Sequence, residues 1–224
     1  MKKSVVTIII TFFAFTMTSM ASAFSVVEIP AKKNGDTIAV FFSGDGGWLK
    51  IDQVIAENLA SGGIHVIGVN SMKYFHKKRT PDETAGDVNS LIDSYSGKLH
   101  RKKVILIGYS FGADVVPFIV TRFTAGLHSP LAGAVMLNIA RDTSFEAGKY
   151  DEGENSGCEF KTLPEISRID GTPLLFIGGI EDKDTITRSI DKNKYSVVVT
   201  EGGHHFTGDY KYLAGIILDW YNNK

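Results

Sequence analysis

The sequence predicts a doubly wound α/β fold, a mostly parallel sheet with helices on both faces. Short runs of Val, Ile, Leu and Phe alternate with longer stretches of helical character along residues 37–221. The runs are nearly continuous in apolar residues, as strands covered on both faces by crossover helices are. Glycine-rich turns follow several of the runs, at 44–47, 108–112, 178–179 and 202–203. Strand–turn–helix repetition at this spacing builds a parallel sheet.

The elements are predicted in order. Residues 37–42 (TIAVFF) form a strand, followed by a glycine-rich loop and a helix over 51–60. Residues 64–69 (IHVIGV) form the next strand and 84–99 a helix. Then come a strand at 104–107, a helix at 113–123 and a strand at 131–137. Strands at 173–177 and 195–199 flank a helix at 185–190, and a last helix covers 209–221. From 140 to 166 no periodicity is visible and acids accumulate, among them Glu146, Asp151, Glu152, Glu154 and Glu159. A loop of that length is functional or solvated, and it is read here as a small lid over the strand ends, with a surface excursion as the alternative.

The amino terminus is a separate object. Lys2 and Lys3 precede an uncharged apolar stretch that ends in Ala21, Ser22 and Ala23. That is the pattern of an export signal cleaved after Ala23, leaving one exported domain, 24–224. A retained membrane anchor is the alternative, disfavoured by the cleavage site that follows at once. No cysteine lies near that point to carry a lipid. The 224-residue chain has 24 basic and 25 acidic residues, a balance that argues against nucleic-acid binding. Cys158 is the sole cysteine, so no internal disulfide forms and the domain relies on its core.

Ligands of such sheets bind beyond the carboxyl ends of the strands. There the chain reads Gly108, Tyr109, Ser110, Phe111, Gly112, a Gly-x-Ser-x-Gly pentad between predicted strand and helix. This is the nucleophile elbow of α/β-hydrolases, in which the glycines allow a turn tight enough to expose the serine. The partners then follow in the order acid, histidine. Asp182, past the strand at 173–177, has the best spacing for the acid, with Glu181 and Asp184 as runners-up. Glu201, Gly202, Gly203, His204, His205 and Phe206 follow the strand at 195–199. Only one of two adjacent histidines can face Ser110. His205, next to Phe206, is the expected base and His204 the alternative. The oxyanion hole is expected from the backbone N–H groups of Asp45, in the loop 43–48 (SGDGGW), and of Phe111. That loop lacks the Lys-Ser/Thr of a phosphate-binding loop and matches no dinucleotide fingerprint. His65, His76, His100 and His128 are scattered. No cofactor or metal is expected.

Three motifs together, at 43–48, 108–117 (GYSFGADVVP) and 202–210 (GGHHFTGDY), resemble the bacterial VirJ/AcvB family over essentially the whole exported chain. The resemblance implies an α/β-hydrolase in the periplasm, in the short single-domain form. It further implies an association with type IV secretion and virulence, secretion-system proteins as partners, and hydrolysis of aminoacylated phosphatidylglycerol, notably the lysyl ester. A cationic headgroup would suit acids at the mouth. Asp114, four residues past Ser110 on one helix face, Asp45 and Trp48 are the expected substrate contacts, with first-turn helix stabilisation as the alternative for Asp114. Lys73 to Arg79, with four basic and two aromatic residues, would give transient contact with an anionic membrane surface or be a solvated loop.

Overall fold

The computed structural model describes residues 24–123, 130–149 and 158–223. The expected export signal at 1–23 lies outside these residues, as do His128 and the acids Asp151, Glu152 and Glu154.

The chain begins with β1 (Val26–Ile29), then β2 (Thr37–Phe42), α1 (Lys50–Ser61), β3 (His65–Val69), α2 (Ser71–Tyr74) and α3 (Pro81–Leu99). It continues through β4 (Lys103–Tyr109), α4 (Phe111–Val120), β5 (Leu131–Leu137), the two-residue strands β6 (Asp142–Thr143) and β7 (Phe160–Lys161), and α5 (Thr162–Ser167). Finally come β8 (Leu174–Gly179), β9 (Ser196–Thr200) and α6 (Tyr210–Asn222). Seven strands form one sheet in the order β1-β3-β2-β4-β5-β8-β9. All neighbours are parallel except β1, which pairs antiparallel with β3 from Val26 opposite Val69 to Ile29 opposite Val66.

The apolar runs are explained by burial on both faces. In β2, Ile38, Val40 and Phe42 enter one core, while Ala39 and Phe41 enter the other. Side chains alternate across a strand, so a strand covered twice needs apolar residues at every position. On one face α1 packs Ile51, Ile55 and Leu59 and α6 packs Leu213, Ala214 and Ile217. On the other, α3 supplies Val88, Leu91 and Ile92, and α4 supplies Val115, Val116 and Ile119. All ten residues of α4 are buried. α3 starts with a capping box: the Thr80 hydroxyl accepts from Glu83 N–H, the Glu83 carboxylate accepts from Thr80 N–H, and Pro81 fills the first turn.

The structure departs from the sequence expectations, or adds to them, in several places. β1 was not expected; it is a short edge strand with only Ile29 buried, too brief for its pattern to register. The helix expected at 185–190 is a single 3₁₀ turn, Thr187–Ser189. Thr185 donates its hydroxyl to the Ile139 carbonyl and is 2.8 Å from the Thr187 hydroxyl, and such side-chain bonds compete with helix formation. The described parts of the expected lid are ordered and anchored. β6 and β7 pair antiparallel, and fully buried Phe145 packs edge-on against Phe75, Phe118 and Phe160. Arg79 N–H donates to the Phe145 carbonyl, and Ala147 N–H to that of Phe75.

From β2 the chain steps outward to β3, then returns past β2 to β4 and proceeds the other way. The loops after β2 and β4 therefore diverge at the switch point of the sheet, where α/β folds place their ligands.

Candidate active site

Ser110 sits between β4 and α4 with φ 53° and ψ −126°, a conformation that non-glycine residues avoid. Close backbone approach on both sides holds it there. A Cβ at Gly108 would lie 2.2 Å from the Gly112 carbonyl oxygen, and one at Gly112 would lie 2.2 Å from that of Phe42. Only glycine fits either position, so the pentad is a packing requirement. Ser110 N–H donates to the Leu137 carbonyl at 2.9 Å, fixing the turn against β5.

Three side chains from three loops converge in a line. Ser110 Oγ is 2.8 Å from His204 Nε2, and His204 Nδ1 is 2.8 Å from Asp182 Oδ2. The Asp182 carboxylate accepts a hydrogen bond from Nδ1–H, which leaves the Nε2 lone pair facing the serine hydroxyl. The Asp182 side chain is 3% exposed and its other oxygen accepts from Asp184 N–H at 3.1 Å. The runners-up Glu181 and Asp184 are exposed and outside this line. The arrangement can move a proton from the serine to the imidazole and hold the resulting imidazolium.

The expectation of His205 beside Ser110 is corrected to its neighbour. A tight turn, with Phe206 N–H donating to the Gly203 carbonyl at 2.9 Å, sends the two rings apart. His204 faces Ser110, while His205 Nδ1 is 2.7 Å from the Tyr109 hydroxyl. Tyr109 also donates to the His204 carbonyl at 3.1 Å, so the His205 ring supplies the proton of their shared bond. Burial pushes the Tyr109 phenol well up, with the Asp52 charge adding to it, so it keeps its proton.

Asn138 is a residue that sequence reasoning missed. It directly follows β5 at φ 52° and is 1% exposed. Its Oδ1 accepts from Gly179 N–H at 2.8 Å, and its Nδ2 donates to the His204 carbonyl at 2.7 Å. One amide thus ties the end of β8 to the histidine loop. The sequence offered only an Asn after a strand, which reads as a turn residue.

One other expectation is overturned, and Trp48 has a structural role of its own. Asp114 does not face the mouth. It is 1% exposed and its Oδ1 accepts from Ala140 N–H at 2.7 Å; burial holds its carboxyl well above the usual carboxylate range. The helix face that Asp114 shares with Ser110 is covered by the chain leaving β5. Trp48 packs its ring over Gly68 and edge-on to Phe41, and donates its indole N–H to Gln53 Oε1 at 2.7 Å. It anchors the glycine loop to α1.

That loop does border the serine. A Cβ at Gly44 would lie 3.5 Å from Ser110 Cβ, and a turn is closed by Gly47 N–H donating to the Gly44 carbonyl. Asp45 is half-exposed on it. Phe111 begins α4, whose amino end carries the positive end of the helix dipole. Buried Asp52 closes the far end by accepting from Leu49 N–H at 2.8 Å, and burial pushes its carboxyl up to about 7.

The fold is that of solved α/β-hydrolases. Est1E from Butyrivibrio proteoclasticus is similar at 12% identity and a TM-score of 0.61, over 88% of this chain and 93% of that one. A soluble variant of monoglyceride lipase from Saccharomyces cerevisiae is similar at 9% identity and a TM-score of 0.62, over 89% and 91%. The esterase domain of a Rhodothermus marinus protein is similar at 13% and 0.60, over 89% and 99%. No curated protein matches the chain. The model of the family described as bacterial virulence protein VirJ matches residues 36–224, and the chain belongs to that family.

Proposed function

We propose that the chain is a periplasmic serine ester hydrolase acting on the aminoacyl ester of lysyl-phosphatidylglycerol. The observation that carries the reading is the line Ser110–His204–Asp182, with both contacts at 2.8 Å. The esterase and lipase names of proteins with this fold support ester chemistry. The lipid follows from the family resemblance, and the periplasm from the amino-terminal signal pattern.

In this reading Ser110 Oγ attacks the ester carbonyl carbon as His204 Nε2 takes its proton. Negative charge collects on the former carbonyl oxygen, where the N–H groups of Asp45 and Phe111 meet it. Asp182 stabilises the imidazolium and holds its orientation. Collapse breaks the bond to the glycerol oxygen, which receives the His204 proton and departs as phosphatidylglycerol. Lysine is left esterified to Ser110. Water attacks next, with His204 as base again, and free lysine leaves as the serine is restored. In this reading the half-exposed Asp45 carboxylate meets the lysyl ammonium group.

The test incubates residues 24–224 and the Ser110→Ala variant with lysyl-phosphatidylglycerol and with a soluble chromogenic ester. Lysine release by the wild type alone supports the reading. Turnover of the chromogenic ester alone leaves a general esterase. Turnover of neither by the folded wild type favours a non-catalytic adaptor for secretion proteins.

A further inference from the structure

Four large apolar side chains are exposed among the described residues: Leu49 at 50%, Met72 at 46%, Ile180 at 53% and Tyr212 at 58%. All four follow the carboxyl end of a parallel strand, in a loop or in the first turn of a helix. That is the edge of the sheet that carries Ser110. Exposed apolar residues gathered at one edge mark a contact surface more than scattered ones do.

Leu49 and Met72 meet at one place. A Cβ at Gly46 would lie 3.4 Å from Leu49 Cδ1, and one at Gly47 would lie 3.5 Å from Met72 Cε. The two side chains therefore flank the glycine loop whose Gly44 borders Ser110. Their backbones are tied as well: Ser71 N–H donates to the buried Ser43 hydroxyl at 3.0 Å, and Ser43 N–H to the Val69 carbonyl at 3.1 Å. The loops after β2 and β3 form one rigid lip.

The charge on that lip is mainly positive. Residues 43–50 and 70–79 contain a single acid, Asp45, in a chain whose net charge is −1. Exposed Lys50 directly follows Leu49, exposed Lys73 directly follows Met72, and Lys77 is exposed on the same segment. Lys78 and Arg79 are engaged within the protein, by Glu159 and Asp87. The opposite lip is mixed in sign: Ile180 is followed by exposed Glu181, Lys183 and Asp184, with exposed Arg188 and Glu201 nearby. Among the described residues no helix is long and apolar enough to cross a membrane.

We propose that the lip formed by the loops after β2 and β3 docks on an anionic phospholipid bilayer. Leu49 and Met72 insert among the acyl chains while Lys50, Lys73 and Lys77 meet lipid phosphates. Apolar anchors combined with flanking lysines are the chemistry of peripheral binding to anionic membranes. Docking on this side alone keeps exposed Glu181, Asp184 and Glu201 away from the lipid phosphates. The inference builds on the ester-hydrolase reading, but vesicle binding reports the lip and soluble-ester turnover reports the triad.

The test is co-sedimentation of residues 24–224, which contain every described element, with vesicles of phosphatidylcholine alone or mixed with phosphatidylglycerol. Binding is expected to the mixed vesicles, weak at about 0.5 M salt because screening removes the lysine contribution. Lys50→Gln and Lys73→Gln should each weaken partitioning about fivefold. Leu49→Ser with Met72→Ser should weaken it by about tenfold or more. Ile180→Ser should bind as the wild type does. Turnover of a soluble ester should be unchanged in every variant, which also reports folding; if the apolar double variant unfolds, the lysine variants and the salt series still decide. Equal binding to both vesicle types, no binding to either, or an equal loss in Ile180→Ser would overturn the proposal. So would self-association of the wild type that the Leu49→Ser, Met72→Ser variant abolishes. A wild type that binds anionic vesicles but turns over no ester would leave the lip standing and remove the hydrolase reading.

Discussion

The buried amide of Asn138 donates to the backbone carbonyl of His204 at 2.7 Å, so the residue that follows β5 sets the position of the imidazole facing Ser110. The same side chain holds Gly179 N–H three residues before Asp182. Asp182 and His204 are thus registered to each other through one side chain that touches neither ring nor carboxylate. Asn138→Asp keeps the acceptor for Gly179 and sets an oxygen against the His204 carbonyl. The lost hydrogen bond and the unpaired buried acceptor are worth about 1–3 kcal/mol. The expected result is a fall in kcat of about 10–100-fold with KM nearly unchanged, measured on a soluble ester. Asn138→Gly tolerates φ 52° but offers no amide, and should lose kcat similarly. Unchanged kcat in both folded variants would leave Asn138 a purely structural residue.

The two histidines should separate sharply. His204→Ala removes the group at Ser110 and should lower kcat/KM by roughly three or more orders of magnitude, as loss of a triad member does. His205→Ala removes a ring held by Tyr109 and should cost less than about tenfold, since the Tyr109 bond to the His204 carbonyl survives. Steady-state kinetics on one soluble ester decides, and the reverse ranking would overturn the geometric assignment.

Asp52 predicts a pH dependence of stability. Its Oδ2 accepts from Leu49 N–H, while its Oδ1 is buried with no hydrogen-bond partner among the described residues. Burial raises its pKa from 3.8 to about 7. The folded state therefore binds this proton more tightly than the unfolded chain. Its contribution is fully present below about pH 4 and is lost as the pH rises towards 7. Asp52→Asn keeps an oxygen for Leu49 and removes the charge. Thermal unfolding from about pH 4 to pH 8 should show the variant gaining on the wild type as pH rises, by on the order of 1–3 kcal/mol at the upper end. Parallel curves would contradict a buried titrating carboxyl here.

Asp114→Asn bears on substrate charge. Because Asp114 is buried and spent on Ala140 N–H, the ratio of kcat/KM for a lysyl ester over a neutral ester should change less than about twofold. Asp45→Asn, on the exposed loop, should lower that ratio by about 2–5-fold, in the range of one partly exposed ion pair. A selective loss in Asp114→Asn would return that residue to the mouth.

The strands were legible because burial on both faces writes a local signal. β2, β4, β5 and β8 must be apolar at nearly every position, whatever their neighbours are. Gly108, Ser110 and Gly112 were legible because close backbone approach admits only glycine. Asp182 was legible from its place past a strand. The 3₁₀ turn at 187–189 was misread as a helix because the bonds of Thr185 reach Ile139, far away in sequence.

By itself the sequence determined the sheet, the elbow and the order in which serine, acid and histidine occur. Tertiary structure alone decided which histidine faces Ser110, since the turn from Gly203 to Phe206 and the grip of Asn138 set ring directions that adjacent residues cannot reveal. It also moved Asp114 from the mouth into the core, because helical spacing names a face but not what covers it. Residues 139–140, arriving from the end of β5, supply that cover. Periodicity and steric exclusion act within a few residues and can be read along the chain; the aim of a side chain depends on partners brought close only by folding.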